Sequence, residues 1–345
     1  MTTATPAPAP VPQRTGYAEL TAEIRSLGLM RRRPDFYVPL ILLNLSALAA
    51  VVTVMVVARG SWWLVLLAAA FAVVSAQIAF VGHDSGHRQL SRRSGPSRLL
   101  GLLHANLLNG LSYGWWVDKH NAHHAHPNDL EQDPDVHPGA LVFDVQHTEQ
   151  RQGVSAWITG HQAWLFFPFL LLEAVNLHIS SVRALLRPGV RHRGVEAGLL
   201  AAHLVAYVVL LAATMTWLQA AVFLVVHQSV LGLYLGCSFA PNHKGMPTLD
   251  ATQAADPFLR QVLTSRNIRG GFLVDTALGG LNYQIEHHLF PSMPRPNLRK
   301  ARPVVQRFCE RNAVPYVELS PLASYRETLR HLHHVGAGLR QGAKA

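Results

Sequence analysis

Between Ala197 and His243 no residue carries a formal charge, and the same holds from Phe36 to Ala58 and from Gly60 to Gly82, with Arg59 alone between those two. A bilayer core about 30 Å thick takes roughly 20 apolar residues as a helix. The first two runs therefore predict a helical hairpin turning at "ARGSWW". The long run holds two more helices turning near "TMTWLQ". Trp62, Trp63 and Trp217 fall where an interfacial aromatic belt belongs. With 49% hydrophobic and 14% charged residues, the chain is too apolar for an ordinary soluble domain.

Two further apolar runs, Leu99 to Val117 and Gln152 to Leu172, are ambiguous by length. Charge decides between readings. The cationic clusters are Arg31, Arg32 and Arg33, then Arg88, Arg92 and Arg93, then Arg183, Arg187, Arg191 and Arg193, then Lys244 onward. Positive charge stays in the cytoplasm, and all four clusters share that side if the ambiguous runs lie at the interface or dip in and return. The expected fold is an all-α integral membrane protein: four transmembrane helices in two hairpins, with a helical cytoplasmic cap. Residues 1–16, rich in Pro and Ala and without a signal-peptide core, read as a disordered tail. The membrane domain is expected over 17–311 and a basic cytoplasmic tail over 312–345. Cys237 and Cys309 are the two cysteines, so no disulfide framework is expected.

The polar stretches concentrate histidine, of which there are twenty. "VGHDSGH" places His83 and His87 at i, i+4, on one helix face. "DKHNAHHAH" does the same for His120, His123 and His124. "LNYQIEHHLF" repeats that spacing with Gln284 in the first place, then His287 and His288. His243 follows the fourth apolar helix directly. A single pair of this kind is as often a surface feature. Three clusters on one predicted side point to metal binding, because neutral imidazole suits Zn, Fe, Cu or Ni. Eight such nitrogens exceed one four-coordinate site and favour two metals. A zinc-protease signature needs glutamate after the first histidine, where "HDSGH" has aspartate.

"VGHDSGH", "HNAHH" and "GLNYQIEHHLFP" resemble the three histidine boxes of the membrane fatty acid desaturases. The third has the QxxHH form of the front-end type and related bacterial acyl desaturases. "DLEQDPDV" after the second box fits the same family. The resemblance spans roughly Tyr17 to Arg311. It implies a centre of two irons held by His83, His87, His120, His123, His124, His243, His287 and His288. It further implies O2-dependent desaturation of a fatty acyl chain, carried as a CoA thioester or bound in lipid. Physical reasoning agrees with iron, since zinc has no redox chemistry.

Asp84 has two readings, an acceptor that orients a ligating imidazole or a solvated residue at a helix end; Asp133, Asp135 and Glu286 share them. Gln284 is expected at the edge of the site as a weak ligand or a hydrogen-bonding group. His104, His126, His137 and His147 lack box spacing and read as non-ligands. His203 and His227 read as satisfied histidines inside membrane helices. Many front-end enzymes carry a fused cytochrome b5 domain with an HPGG motif; "HPGA" at 137–140 is no such domain. Electrons are then expected from a ferredoxin or similar donor with its reductase. From Pro291 onward, ten Lys or Arg face three Glu, a surface suited to an acidic donor, to anionic headgroups or simply to cytoplasmic solvent. Nothing points to nucleic acid. A hydroxylase on the same scaffold is the nearest alternative, and a metal transporter or sensor a more distant one.

Overall fold

The computed structural model describes residues 16–249 and 251–342; the expected tail over 1–16 lies, as far as residue 15, outside the described residues. Helix α1 is Tyr17–Ser26 and α2 is Pro34–Val57, which opens on proline, a residue already set for a first helical turn. The next is α3, Leu64–Gly86, then α4, Ser94–Gly101, which runs into a π-helical turn over Leu102–Leu107. After α5, Tyr113–Ala125, come α6, Gly153–Leu170, and α7, Glu173–Leu186. Helices α8, Arg193–Thr214, and α9, Trp217–His243, are followed by the short α10, Ala251–Ala255, and α11, Pro257–Leu263. The last elements are α12, Phe272–Ala277, α13, Gln284–Leu289, α14, Arg295–Arg311, α15, Pro321–Val335, and α16, Ala337–Gly342. A small parallel sheet pairs β1, Asn267–Ile268, with β2, Glu318–Leu319, in the register Asn267 to Glu318 and Ile268 to Leu319. It is a local departure from an all-helical chain.

Among the described residues, α2, α3, α8 and α9 are each long and apolar enough to cross a bilayer. Their helical form follows from composition, since in lipid every backbone N–H and C=O must find its partner inside the segment. The links α2–α3 and α8–α9 meet at one end of the bundle. Gly60 N donates to Thr214 O (2.8 Å), and Gln219 Nε2 donates to Gly60 O (2.8 Å). Beside them Val51, Met55, Leu64, Phe71, Leu211 and Phe223 form an apolar cluster. Trp62, Trp63 and Trp217 are exposed there, as an aromatic belt would be.

The two ambiguous runs are not straight spans. Residues 99–117 are interrupted by the π-helical turn and by Gly110, whose φ of 65° ends the helix. Helices α6 and α7 are bent by 80° at a break over residues 171–172. The elbow backbone seats on α9 at Gly232, where a Cβ would lie 2.6 Å from Leu170 O and 2.8 Å from Ala174 N.

Residues 312–342, within the stretch expected as a basic cytoplasmic tail, pack against the rest of the chain. Gln162 Nε2 donates to Leu332 O (3.1 Å), Tyr325 OH to Cys237 O (2.7 Å), and the His331 ring contacts Phe143 O (2.8 Å). The inward face of α15 is Ser324, Thr328, Leu332 and Val335. Half of that face is hydroxylic, which hides its helical period behind the basic residues around it.

Candidate metal centre

Each histidine cluster sits at the end of an element aimed at one point. His83 occupies the last turn of α3, and His87 follows it. Helix α5 carries His120, His123 and His124. Its start is clamped from α8 by the buried Glu196, which accepts from Ser112 Oγ (2.7 Å), Gly114 N (3.0 Å) and Asn106 Nδ2 (3.2 Å). A carboxylate at a helix N-terminus also favours the helix dipole. His243 ends α9, and α13 carries His287 and His288. The approach to α13 turns at Gly279 (φ 59°), where a Cβ would lie 2.5 Å from the Phe80 ring. Glycine is required there by space as well as by backbone.

All eight histidines expected from the sequence are brought together. Ligand nitrogens of His83, His87, His120 and His287 lie within 4.8 Å of one another, and so do those of His123, His243 and His288. His124 lies between the two sets. Its ring centroid is 4.6 Å from those of His87 and His120, 4.8 Å from His287 and 4.1 Å from His288. His104, His126, His137, His147, His203 and His227 stand outside these groups. The last two are occupied: His203 Nδ1 meets Leu107 O (2.9 Å), and His227 Nδ1 meets Tyr207 OH (2.8 Å).

In the second set each Nδ1 is held from outside. His123 Nδ1 donates to both oxygens of Asp133 (3.0 Å each), His243 Nδ1 to Thr264 O (3.0 Å), and His288 Nδ1 to Gln261 Oε1 (2.9 Å). This fixes the tautomer and leaves Nε2 bearing its lone pair. His83 Nδ1 likewise meets Asp84 Oδ1 (3.1 Å). Asp84 is in turn held by Arg295, whose Nε donates to Oδ2 (2.9 Å), and by Tyr37 OH (3.1 Å). Asp133 accepts from Asn128 N (2.8 Å), and Asp135 pairs with Lys119. Burial works against charge on Asp135, yet Lys119, His123 and Lys244 hold its carboxyl well below the usual range. Glu286 turns away, accepting from Asn267 Nδ2 and Tyr316 OH (2.8 Å each). Burial pushes it up to about 7.

Burial first, and neighbouring imidazoles second, push His87, His120, His124, His287 and His288 well below the ordinary histidine range. They are neutral, the form that binds metal. His83 Nε2, His87 Nε2, His124 Nδ1, both nitrogens of His287 and His288 Nε2 are buried without a hydrogen-bond partner. Each such group left unsatisfied costs about 1–3 kcal/mol, so this cluster fits metal ions in number, charge and donor type. Gln284 is buried beside it. Its Nε2 lies 2.9 Å from His243 Nε2, and its Oε1 accepts from Asn242 Nδ2 (3.1 Å).

A cavity of about 620 Å³ passes His83, His120, His123 and His243 and continues between Phe166, Phe169, Leu170, Leu235 and Phe239. Lys119, Asp135 and Lys244 give it a polar flank. Sequence reasoning missed this cavity, together with Gln261, Thr264 and Arg295. None carries a local pattern, because each reaches the histidines from a different part of the chain.

The sequence pattern of the fatty acid desaturases matches residues 60–320. The chain belongs to the fatty acid desaturase family. It is 30% identical over 282 residues to an acyl-lipid (9-3)-desaturase of Borago officinalis, covering 78% of this chain and 63% of that protein. A Δ8-fatty-acid desaturase of Helianthus annuus is 27% identical, over 92% of this chain and 72% of its own length. A Δ5 fatty acid desaturase of Caenorhabditis elegans, fat-4, is 28% identical over 87% and 69%. The chain thus spans about two thirds of the length of these relatives. Histidine clusters, apolar spans and the family pattern coincide in one chain.

Proposed function

We propose that this protein introduces a C=C bond into a fatty acyl chain, in an O2-dependent reaction at two irons held by its histidines. The observation that carries the reading is the double set of inward, neutral imidazole nitrogens beside a largely apolar cavity. His83, His87, His120 and His287 would hold one metal and His123, His243 and His288 the other, with His124 between them. Two irons there would supply the oxidising power, drawn from O2 and two electrons, that removes hydrogen from adjacent methylene groups. The chain's own part is placement. Asp84, Asp133, Thr264 and Gln261 aim the imidazoles, and Gln284 stands at the edge beside His243. Phe166, Phe169, Leu170, Leu235 and Phe239 hold an acyl chain away from water.

The acyl chain arrives as a CoA thioester or within a lipid; the name of the Borago relative favours the lipid-bound form. The electrons come from a separate ferredoxin-type donor and its reductase. Exposed Lys300 and Arg307 add to a basic face for such a donor. The protein crosses the membrane several times as two hairpins, with the histidines and both termini in the cytoplasm, where the basic clusters belong.

The deciding experiment is lipid profiling of cells with and without the gene, in iron-replete medium. A new alkene is the expected product. An alcohol at the same carbon would assign a hydroxylase instead, and an unchanged profile beside altered metal uptake would assign a transporter. Purified protein should contain about two irons per chain, as paired-metal sites do; one zinc and no iron would overturn the reading.

A further inference from the structure

Helix α12 carries two adjacent large apolar side chains, Phe272 and Leu273, which are 77% and 80% exposed. Its far end is fastened to the sides of two apolar spans. Gln77 Nε2, on α3, donates to Thr276 O (3.1 Å), and Tyr234 OH, on α9, donates to Ala277 O (2.7 Å). Gln77 lies 13 residues, or about 20 Å, along α3 from Leu64, and Tyr234 lies 17 residues, or about 26 Å, along α9 from Trp217. The exposed tryptophans mark that starting boundary, and the hydrocarbon core is about 30 Å thick. The end of α12 therefore sits roughly 4–10 Å inside the opposite boundary, the depth of an interfacial helix. Asn44 Nδ2 donates to Gln77 O (3.3 Å), so Leu42 and Leu43 of α2, 59% and 65% exposed, lie at a similar height. The apolar patch therefore lies at the height of exposed apolar residues on the spans.

We infer that α12 is a membrane foot: Phe272 and Leu273 insert among acyl chains of the leaflet on the histidine side. The flanking guanidiniums of Arg269 and Arg299 each lie beside one carboxylate, Glu318 at 3.2 Å and Asp275 at 3.8 Å, and are still 67% and 65% exposed; their remaining N–H groups meet lipid phosphates. Two side chains are too little for a protein partner, since stable protein interfaces bury about 1,200 Å² or more, whereas lipid imposes no such minimum. The foot leads within a few residues into Leu281 and Gln284, which line the cavity. It ties the third histidine stretch to the membrane at a fixed depth.

The inference rests on reading α2, α3, α8 and α9 as spans, and its test separates the two. Full-length protein in phosphatidylcholine–phosphatidylglycerol vesicles is spin-labelled at Phe272→Cys, Leu273→Cys, Leu43→Cys and Glu131→Cys, the unsubstituted protein giving the background from its own cysteines. Collision rates with O2 and with an aqueous nickel chelate report depth. Labels at 272 and 273 should favour O2 several-fold relative to the aqueous control at 131. Nickel access at 272 and 273, with label 43 still in lipid, would overturn the foot alone. Low access to both reagents would mean coverage by protein, a second copy included, and would also overturn it. Nickel access at 43 would overturn the span itself.

Discussion

The Arg295 guanidinium meets the Asp84 carboxylate at 2.6 Å, in a site where the two side chains are 7% and 2% exposed. The pair joins α14 to α3 directly behind His83, and Tyr37 of α2 completes it. Removing one partner of a buried pair leaves an uncompensated charge, at about 3–5 kcal/mol. Arg295→Met should lower the thermal unfolding midpoint in detergent and reduce bound iron. Asp84→Asn with Arg295→Met, which removes both charges, should recover most of the midpoint but not the full iron content. If the single variant melts like the parent, the pair has no such part in stability.

Asp133 is expected to act on metal through His123. It holds Nδ1 with both oxygens and is itself fixed by Asn128 N. Loss of such an outer partner lowers metal affinity by about 10–100-fold. Asp133→Asn keeps an acceptor for Asn128 but offers His123 a weaker one. Chelator competition on folded protein should show that loss of affinity, and unaltered competition would leave Asp133 with a structural part only.

Gly236 bears on the bore of the cavity. A Cβ there would lie 2.5 Å from Leu170 Cδ2, and Leu170 lines the cavity. Overpacking of this kind costs about 1–3 kcal/mol unless a neighbour moves, and the free direction for the leucyl side chain is the cavity. Gly236→Ala should therefore shift products toward shorter acyl chains, and adding Leu170→Ala should reverse the shift. Gas chromatography of products from mixed-length substrates reads both. An unchanged chain-length profile would remove Gly236 from the determinants of specificity.

The spans and the histidine clusters were legible because both are local patterns. A bilayer demands an uninterrupted apolar run, and a helix gathers residues three and four apart on one face. The bend between α6 and α7 was only half legible. Charge placement argued against a straight span, but the seat at Gly232 is a contact between distant segments. Asp84 and Asp133 carried a reading as acceptors for imidazoles, and they meet His83 and His123. The other supports were not legible, because Arg295 reaches Asp84 across 211 positions and Gln261 reaches His288 across 27. The packing of 312–342 was not legible, because Ser324 and Thr328 carry its inward face without looking apolar.

Gln284 distinguishes a ligand from a neighbour of ligands. It occupies the position in its stretch that His120 holds in α5, yet its amide nitrogen faces His243 Nε2 at 2.9 Å, and its oxygen is taken by Asn242 Nδ2. His243 Nε2 is the nitrogen left for metal once Nδ1 is bound to Thr264 O. The amide must therefore yield when His243 ligates, and it is then free to hydrogen-bond a water in the cavity. His288 has no such alternative, since its Nε2 is buried without a partner. Gln284→Ala should retain most bound iron while turnover falls by about tenfold, the scale of one lost hydrogen bond of 1–1.5 kcal/mol. His288→Ala should lose iron and turnover together. Iron content measured beside activity separates the cases: full turnover in Gln284→Ala would make the residue a spacer, and iron loss equal to that of His288→Ala would make it a ligand.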